Sequence, residues 1–189
     1  VDLACTDVVL VGDSLGMVIQ GLDTTVPVTV ADMVYHSRCV ARGLRHAFLI
    51  VDMPFMSYTT PEQALDNAVR LMQEGGAKMV KLEAGQGQAG VVEHLAKQDI
   101  PLCAHLGLKP QSVHKLGGFK VQGREEHAAR EMIAAARELE SAGADTLLLE
   151  CVPTAVGAAI RDAVRVPVIG IGAGPGVDGQ ILVLYDVLG

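Results

Sequence analysis

The sequence has no clustered run of Lys and Arg, no Cys-x-x-Cys pair, and no basic-then-apolar leader. It also has no apolar run near the roughly 18 residues that a membrane span needs. Each absence removes a class of function. With a net charge of -7 and no basic stripe, the chain lacks the electrostatic footprint of a protein that binds nucleic acid or an anionic membrane. A small molecule is the expected partner. The four cysteines, Cys5, Cys39, Cys103 and Cys151, are too widely spaced for a zinc site or a disulfide framework, so reduced thiols and a cytoplasmic location are expected. An initiating Met is lacking too. The chain opens on Val1 and closes on Gly189 directly after an apolar run, which reads as a fragment.

What is present is a repeated plan. Half of the 189 residues are hydrophobic, enough for one domain spanning residues 1–189. Val8 to Val11 is an unbroken apolar run that suits a strand covered on both faces, and by the alternation of strand side chains Asp13 should share a face with Val9 and Val11. Three later strands also end in an acid: Phe48 to Asp52, Met79 to Glu83 and Thr146 to Glu150. A fifth, Leu102 to His105, ends in a histidine, and Val168 to Ile171 and Ile181 to Leu184 complete seven.

Helix signals fall between the strands. Thr29 with Asp32 has capping-box spacing and opens a helix to Gly43, while Thr60-Pro61-Glu62-Gln63 opens a second that Gly75-Gly76 stops. Further helices are expected around Val91 to Leu95, from Glu125 to Ala142, and from Ala155 to Val164. Leu106 to Gly123 reads as a long irregular stretch, of the kind that serves as a lid.

Gly76 to Glu83 lines up with Gly143 to Glu150 at an offset of 67 residues, which spans two strand-helix units. Strand-helix alternation permits an open sheet or a closed barrel, and the repeat favours the barrel. Seven strands in 189 residues fit a (β/α)8 TIM barrel lacking its first strand and its closing C-terminal helices. Such a piece would leave unpaired edges at Val8 to Gly12 and at Ile181 to Leu184, and is expected to be inactive and poorly soluble.

Catalytic groups of barrels stand at the C-terminal ends of strands. Asp13, Asp52, Glu83, His105 and Glu150 all fall there. Converging carboxylates repel unless a hard cation holds them, so a site for Mg2+ is expected. Lys81 shares a face with Glu83 and needs anionic company, either a substrate carboxylate or a plain Lys-Glu ion pair. His105 reads equally as a pocket group or a core histidine, and His36, His46, His94, His114 and His127 read as surface. Gly174 to Gly179 matches G-x-G-x-x-G, but Pro175 removes a donor and a strand follows, so it is a false positive. Gly170 to Gly174 reads as a tight turn rather than a phosphate cradle.

The segments Val11 to Gly16, Asp52 to Met56, Val80 to Glu83, His105 to Val113, Gly117 to Gly123, Leu149 to Pro153 and Gly170 to Gly174 together resemble the ketopantoate (3-methyl-2-oxobutanoate) hydroxymethyltransferases. That resemblance implies a Mg2+-dependent transfer from 5,10-methylenetetrahydrofolate to 3-methyl-2-oxobutanoate, giving 2-dehydropantoate, in a cytoplasmic homodecamer. It implies Asp13, Asp52 and Glu83 as metal ligands and Glu150 as proton acceptor. Asp13, Ser14, Asp52, Lys81 and His105 would contact substrate. Ala84-Gly85, where the family usually has two glycines, and His114, where it usually has Asn, depart from the pattern. Competing expectations are a Mg2+-dependent carbon-carbon lyase of the phosphoenolpyruvate mutase and isocitrate lyase type, for which no reactive-loop cysteine is in place, and an idle fragment that only binds 2-oxo acids.

Overall fold

The computed structural model describes residues 2–85 and 87–189. The contacts of the chain group into two compact units, the first built from Val1–Leu82 and His94–Leu102 and the second from Glu83–Glu93 and Cys103–Gly189.

The first unit holds β1 (Val8–Val11), α1 (Leu15–Val18), α2 (Val30–Gly43), β2 (Phe48–Asp52), α3 (Pro61–Gln73) and most of β3 (Met79–Glu83). β1 pairs parallel to β2 and β2 parallel to β3, with Val11 opposite Val51 and Asp52 opposite Lys81. The expected helix starts are formed. Thr29 and Asp32 make a reciprocal capping box on α2, and the Thr60 side chain accepts the N–H of Gln63 at the start of α3. The Gln63 side chain, however, turns to Thr59, whose N–H and hydroxyl donate to it at 2.9 and 2.6 Å.

Two expectations about β1 are corrected. Val8 to Leu10 are only half-buried, with Val11 the one buried residue, because the strand has a described neighbour on one side only. Asp13 is not on the strand. β1 stops at Val11, and Gly12, Asp13 and Ser14 turn into α1 through the Leu15 and Gly16 N–H bonds to Gly12 O and Asp13 O, so strand parity does not orient Asp13.

α4 (Ala89–Ala96) runs across the division between the units. The second unit then holds β4 (Leu102–Gly107, all but its first residue), α5 (Val113–Leu116), α6 (Glu126–Ser141), β5 (Thr146–Glu150), α7 (Thr154–Ala163), β6 (Val168–Ile171), β7 (Gly179–Gln180) and α8 (Leu184–Leu188). β4, β5, β6 and β7 pair in that order, all parallel. β4 runs two residues past His105, so the stretch expected to be irregular begins later and contains a 3-10 turn at Pro110–Ser112 that leads into α5. The expected strand from Ile181 to Leu184 is not formed. The pairing with β6 is taken by Gly179 and Gln180, the Ile181 N–H makes the last bond to Gly170 O, and Leu184 already starts α8. β3 is buried throughout and β5 over its first four residues, as the two-sided cover of a parallel sheet requires. Gly76 and Gly143, equivalent in the 67-residue repeat, both take positive φ where a helix stops.

Candidate active site

In the first unit the sheet register dictates the site. Asp52 and Lys81 are opposite one another on neighbouring strands, and Lys81 Nζ lies 2.9 Å from Asp52 Oδ1 with both side chains almost wholly buried. The other oxygen, Asp52 Oδ2, accepts the backbone N–H of Asp13 at 3.0 Å. Lys81 therefore meets Asp52, and a protein carboxylate supplies anionic company for it. Gly12 leaves room for this arrangement. A Cβ there would stand 3.1 Å from Ser14 Oγ and 3.4 Å from Asp52 Oδ2, so the Ser14 hydroxyl and the Asp52 carboxylate border the same small space.

In the second unit His105 is opposite Leu148, which makes Glu150 its diagonal neighbour on the same face. His105 Nε2 lies 3.3 Å from Glu150 Oε2; the imidazole side chain is 2% exposed and the carboxylate 25%. The backbone around Glu150 is tightly held. Its carbonyl accepts the Leu108 N–H at 2.8 Å, and a Cβ at Gly107 would fall 2.2 Å from that carbonyl, so only glycine fits there. Glu83, the last residue of β3, is buried and accepts the backbone N–H of Gln111 at 3.0 Å. Gln111 is itself buried, and the sequence pattern gives it no role. Its neighbour Pro110, which can open a helical turn, was the available signal.

The donors offered for a metal are carboxylate oxygens, the type that Mg2+ takes. A carboxylate oxygen has two lone pairs, so the Lys81 and Asp13 contacts leave each Asp52 oxygen able to accept once more. Among the described residues no group of three or more His, Cys, Asp or Glu side chains is gathered for a metal ion. Gly170 to Gly174 is a tight turn as expected, with positive φ at Gly172 and Gly174 and the Thr154 side chain packed against Gly174. No described helix is long and apolar enough to cross a membrane.

Comparison with solved structures defines the class first. An oxaloacetate acetylhydrolase matches with a TM-score of 0.66 at 16% identity, over 89% of this chain and 60% of its own. A putative lyase/mutase from Burkholderia cenocepacia matches at 0.68 and 18%, over 95% of this chain and 69% of its own. These likenesses show the fold, a parallel α/β arrangement of the TIM-barrel class.

Sequence narrows the class to one family. The ketopantoate hydroxymethyltransferase family pattern matches residues 1–189. The 3-methyl-2-oxobutanoate hydroxymethyltransferases of Alkalilimnicola ehrlichii and Halorhodospira halophila are 64% and 62% identical, over 100% and 98% of this chain. This chain belongs to the ketopantoate hydroxymethyltransferase family, and it spans 68% of the length of either relative.

Proposed function

We propose that the protein transfers a one-carbon unit from 5,10-methylenetetrahydrofolate to 3-methyl-2-oxobutanoate, giving 2-dehydropantoate. The observation that carries the reading is the His105–Glu150 pair, a solvent-reachable carboxylate 3.3 Å from a buried imidazole nitrogen near the ends of adjacent strands. Family membership supports the reaction class.

Glu150 acts as general base and takes the C3 proton of the keto acid. The carbon so released attacks the methylene of the donor, forming the new C–C bond as the methylene–nitrogen bonds of the folate break. One water is consumed overall. Its oxygen becomes the new hydroxyl, and two protons, one from C3 and one from water, end on the folate nitrogens. His105 orients the Glu150 carboxylate through Nε2. Lys81 has three N–H donors, enough to hold Asp52 and the substrate carboxylate together, while Ser14 and Asp13 border the keto acid beside Asp52. Asp13, Asp52 and Glu83 would hold Mg2+, on the family resemblance of the segments that carry them. Bound there, Mg2+ supplies Lewis-acid polarisation of the keto-acid oxygens. The same reading carries a cytoplasmic homo-oligomer, which sedimentation of the purified protein tests.

The test is turnover by the protein as it occurs, with both substrates and Mg2+, beside calorimetry of 3-methyl-2-oxobutanoate with and without the metal. The reading expects 2-dehydropantoate to form and keto-acid affinity to depend on Mg2+. Binding of the keto acid with no product from the folate donor would contradict it.

A further inference from the structure

In the second unit one backbone donor reaches the carboxylate assigned to the metal. The Gln111 N–H donates to Glu83 Oε1 at 3.0 Å, across 28 residues of chain, and both residues are buried. A buried carboxylate needs donors for its charge. This donor comes from a 3-10 turn outside the sheet, not from a neighbouring strand.

The turn is itself held in place. Gly107, at φ +95°, takes the chain off β4, and its close approach to Glu150 O, where a Cβ would fall at 2.2 Å, lets the Leu108 N–H reach that carbonyl at 2.8 Å. Pro110 has a fixed φ and no N–H, so Gln111 carries the first donor of the turn Pro110–Ser112. The Ser112 N–H closes the turn on Lys109 O at 2.9 Å. Beside Glu83, the Ala84 N–H bonds to His105 O at 2.8 Å, and His105 Nε2 stands 3.3 Å from Glu150 Oε2. Glu83, Ala84, His105, Glu150, Leu108 and Gln111 thus close a ring of contacts. Glutamate has several side-chain torsions to fix, and a bond that fixes them before a ligand arrives removes that cost from binding.

We infer that Gln111 is a positioning residue whose backbone N–H presets the Glu83 carboxylate for the divalent cation. The inference rests on the proposed metal role of Glu83 and deepens it. A carboxylate offers about four lone-pair sites, so an N–H and a cation can share it. Outer hydrogen bonds of this kind orient ligating groups, and their loss lowers metal affinity by about 10- to 100-fold. The coupling is reciprocal. Whatever factor the N–H adds to Mg2+ affinity, bound Mg2+ adds to the persistence of the N–H contact.

The experiment titrates the protein as it occurs with Mg2+ alone, by calorimetry, and follows the Gln111 amide by hydrogen exchange in the same buffer. Saturating Mg2+ should slow that exchange by about 10-fold or more. Gln111→Pro, which lacks the N–H, should lose Mg2+ affinity by the same factor, whereas Gln111→Ala, which keeps it, should bind Mg2+ nearly as well as the unaltered protein. Equal losses in the two variants would make the buried side chain responsible and overturn the inference. If Gln111→Pro does not fold, the exchange measurement decides alone: Mg2+ that binds without slowing the Gln111 amide overturns the inference and leaves the metal role standing. Mg2+-dependent protection that persists in Glu83→Ala overturns it as well, since the contact would then not run through that carboxylate. Absence of Mg2+ binding in the unaltered protein would sink the metal role and the inference together.

Discussion

In the first unit the charged pair is Lys81 and Asp52, 2.9 Å apart and both almost sealed from solvent; in the second it is His105 and Glu150, 3.3 Å apart with the carboxylate one quarter exposed. Both pairs arise in the same way, from residues on the same face of adjacent parallel strands. Their chemistry differs. The ammonium-carboxylate pair lies under cover, with neither side chain open to solvent. The imidazole-carboxylate pair leaves its carboxylate partly open to what lies beyond the strand. Burial and the choice of cation, rather than the fold, separate the two pairs.

The largest effect that would sharpen this contrast is on stability. Removing one partner of a buried pair strands the other, so Lys81→Met should lower the unfolding free energy by about 3–5 kcal/mol. Glu150→Gln, at the more exposed pair, should lower it by about 1 kcal/mol or less. Urea midpoints decide, and comparable losses would erase the distinction. Next in size is Gly107→Ala. With φ of +95° and a Cβ 2.2 Å from Glu150 O, it should cost about 1–3 kcal/mol and disturb Glu150 while leaving Asp52 in place, visible as lost turnover with keto-acid binding retained. A smaller change belongs to the first unit alone. Thr29→Ala removes the capping box of α2 and should cost about 1 kcal/mol, read as faster amide exchange at the start of that helix.

The smallest effect is a pH dependence that again separates the units. Hydrogen bonds from Thr29 hold the Asp32 carboxyl below its ordinary value of 3.8, and the backbone N–H groups of Ala47, His46 and Arg45 do the same for Asp2. A lowered carboxylate pKa gives stability that is present above the unfolded value and lost as pH falls through the folded one. Amide protection at the start of α2 and around residues 45–47 should therefore weaken as pH drops below about 4. Unchanged protection down to pH 2 would remove both anchors from the account.

Much of this was legible in the sequence because it is local. Thr29, Thr60, Gly76 and Gly143 announce helix ends through hydrogen bonds and backbone freedom that depend on near neighbours, and β2, β3 and β5 are apolar runs whose ends are marked by acids. Register is not local. Nothing along the chain says that Lys81 faces Asp52, because that contact is set by how two strands slide together. The run from Ile181 to Leu184 misleads for a similar reason: its apolar content suits a strand, but the neighbouring β6 is only four residues long and Gly179 and Gln180 have already taken its pairing. Asp13 reads as strand parity although Gly12 ends the strand first.

The division of labour between the two pairs is tested most directly by exchange of the C3 proton of 3-methyl-2-oxobutanoate with deuterated water, followed by NMR alongside calorimetric binding in Glu150→Gln and Asp52→Asn. Glu150→Gln should bind the keto acid nearly as well as the unaltered protein while exchange falls by about 100- to 10,000-fold, and Asp52→Asn should lose binding. Undiminished exchange in Glu150→Gln would contradict the account and move the base to another residue.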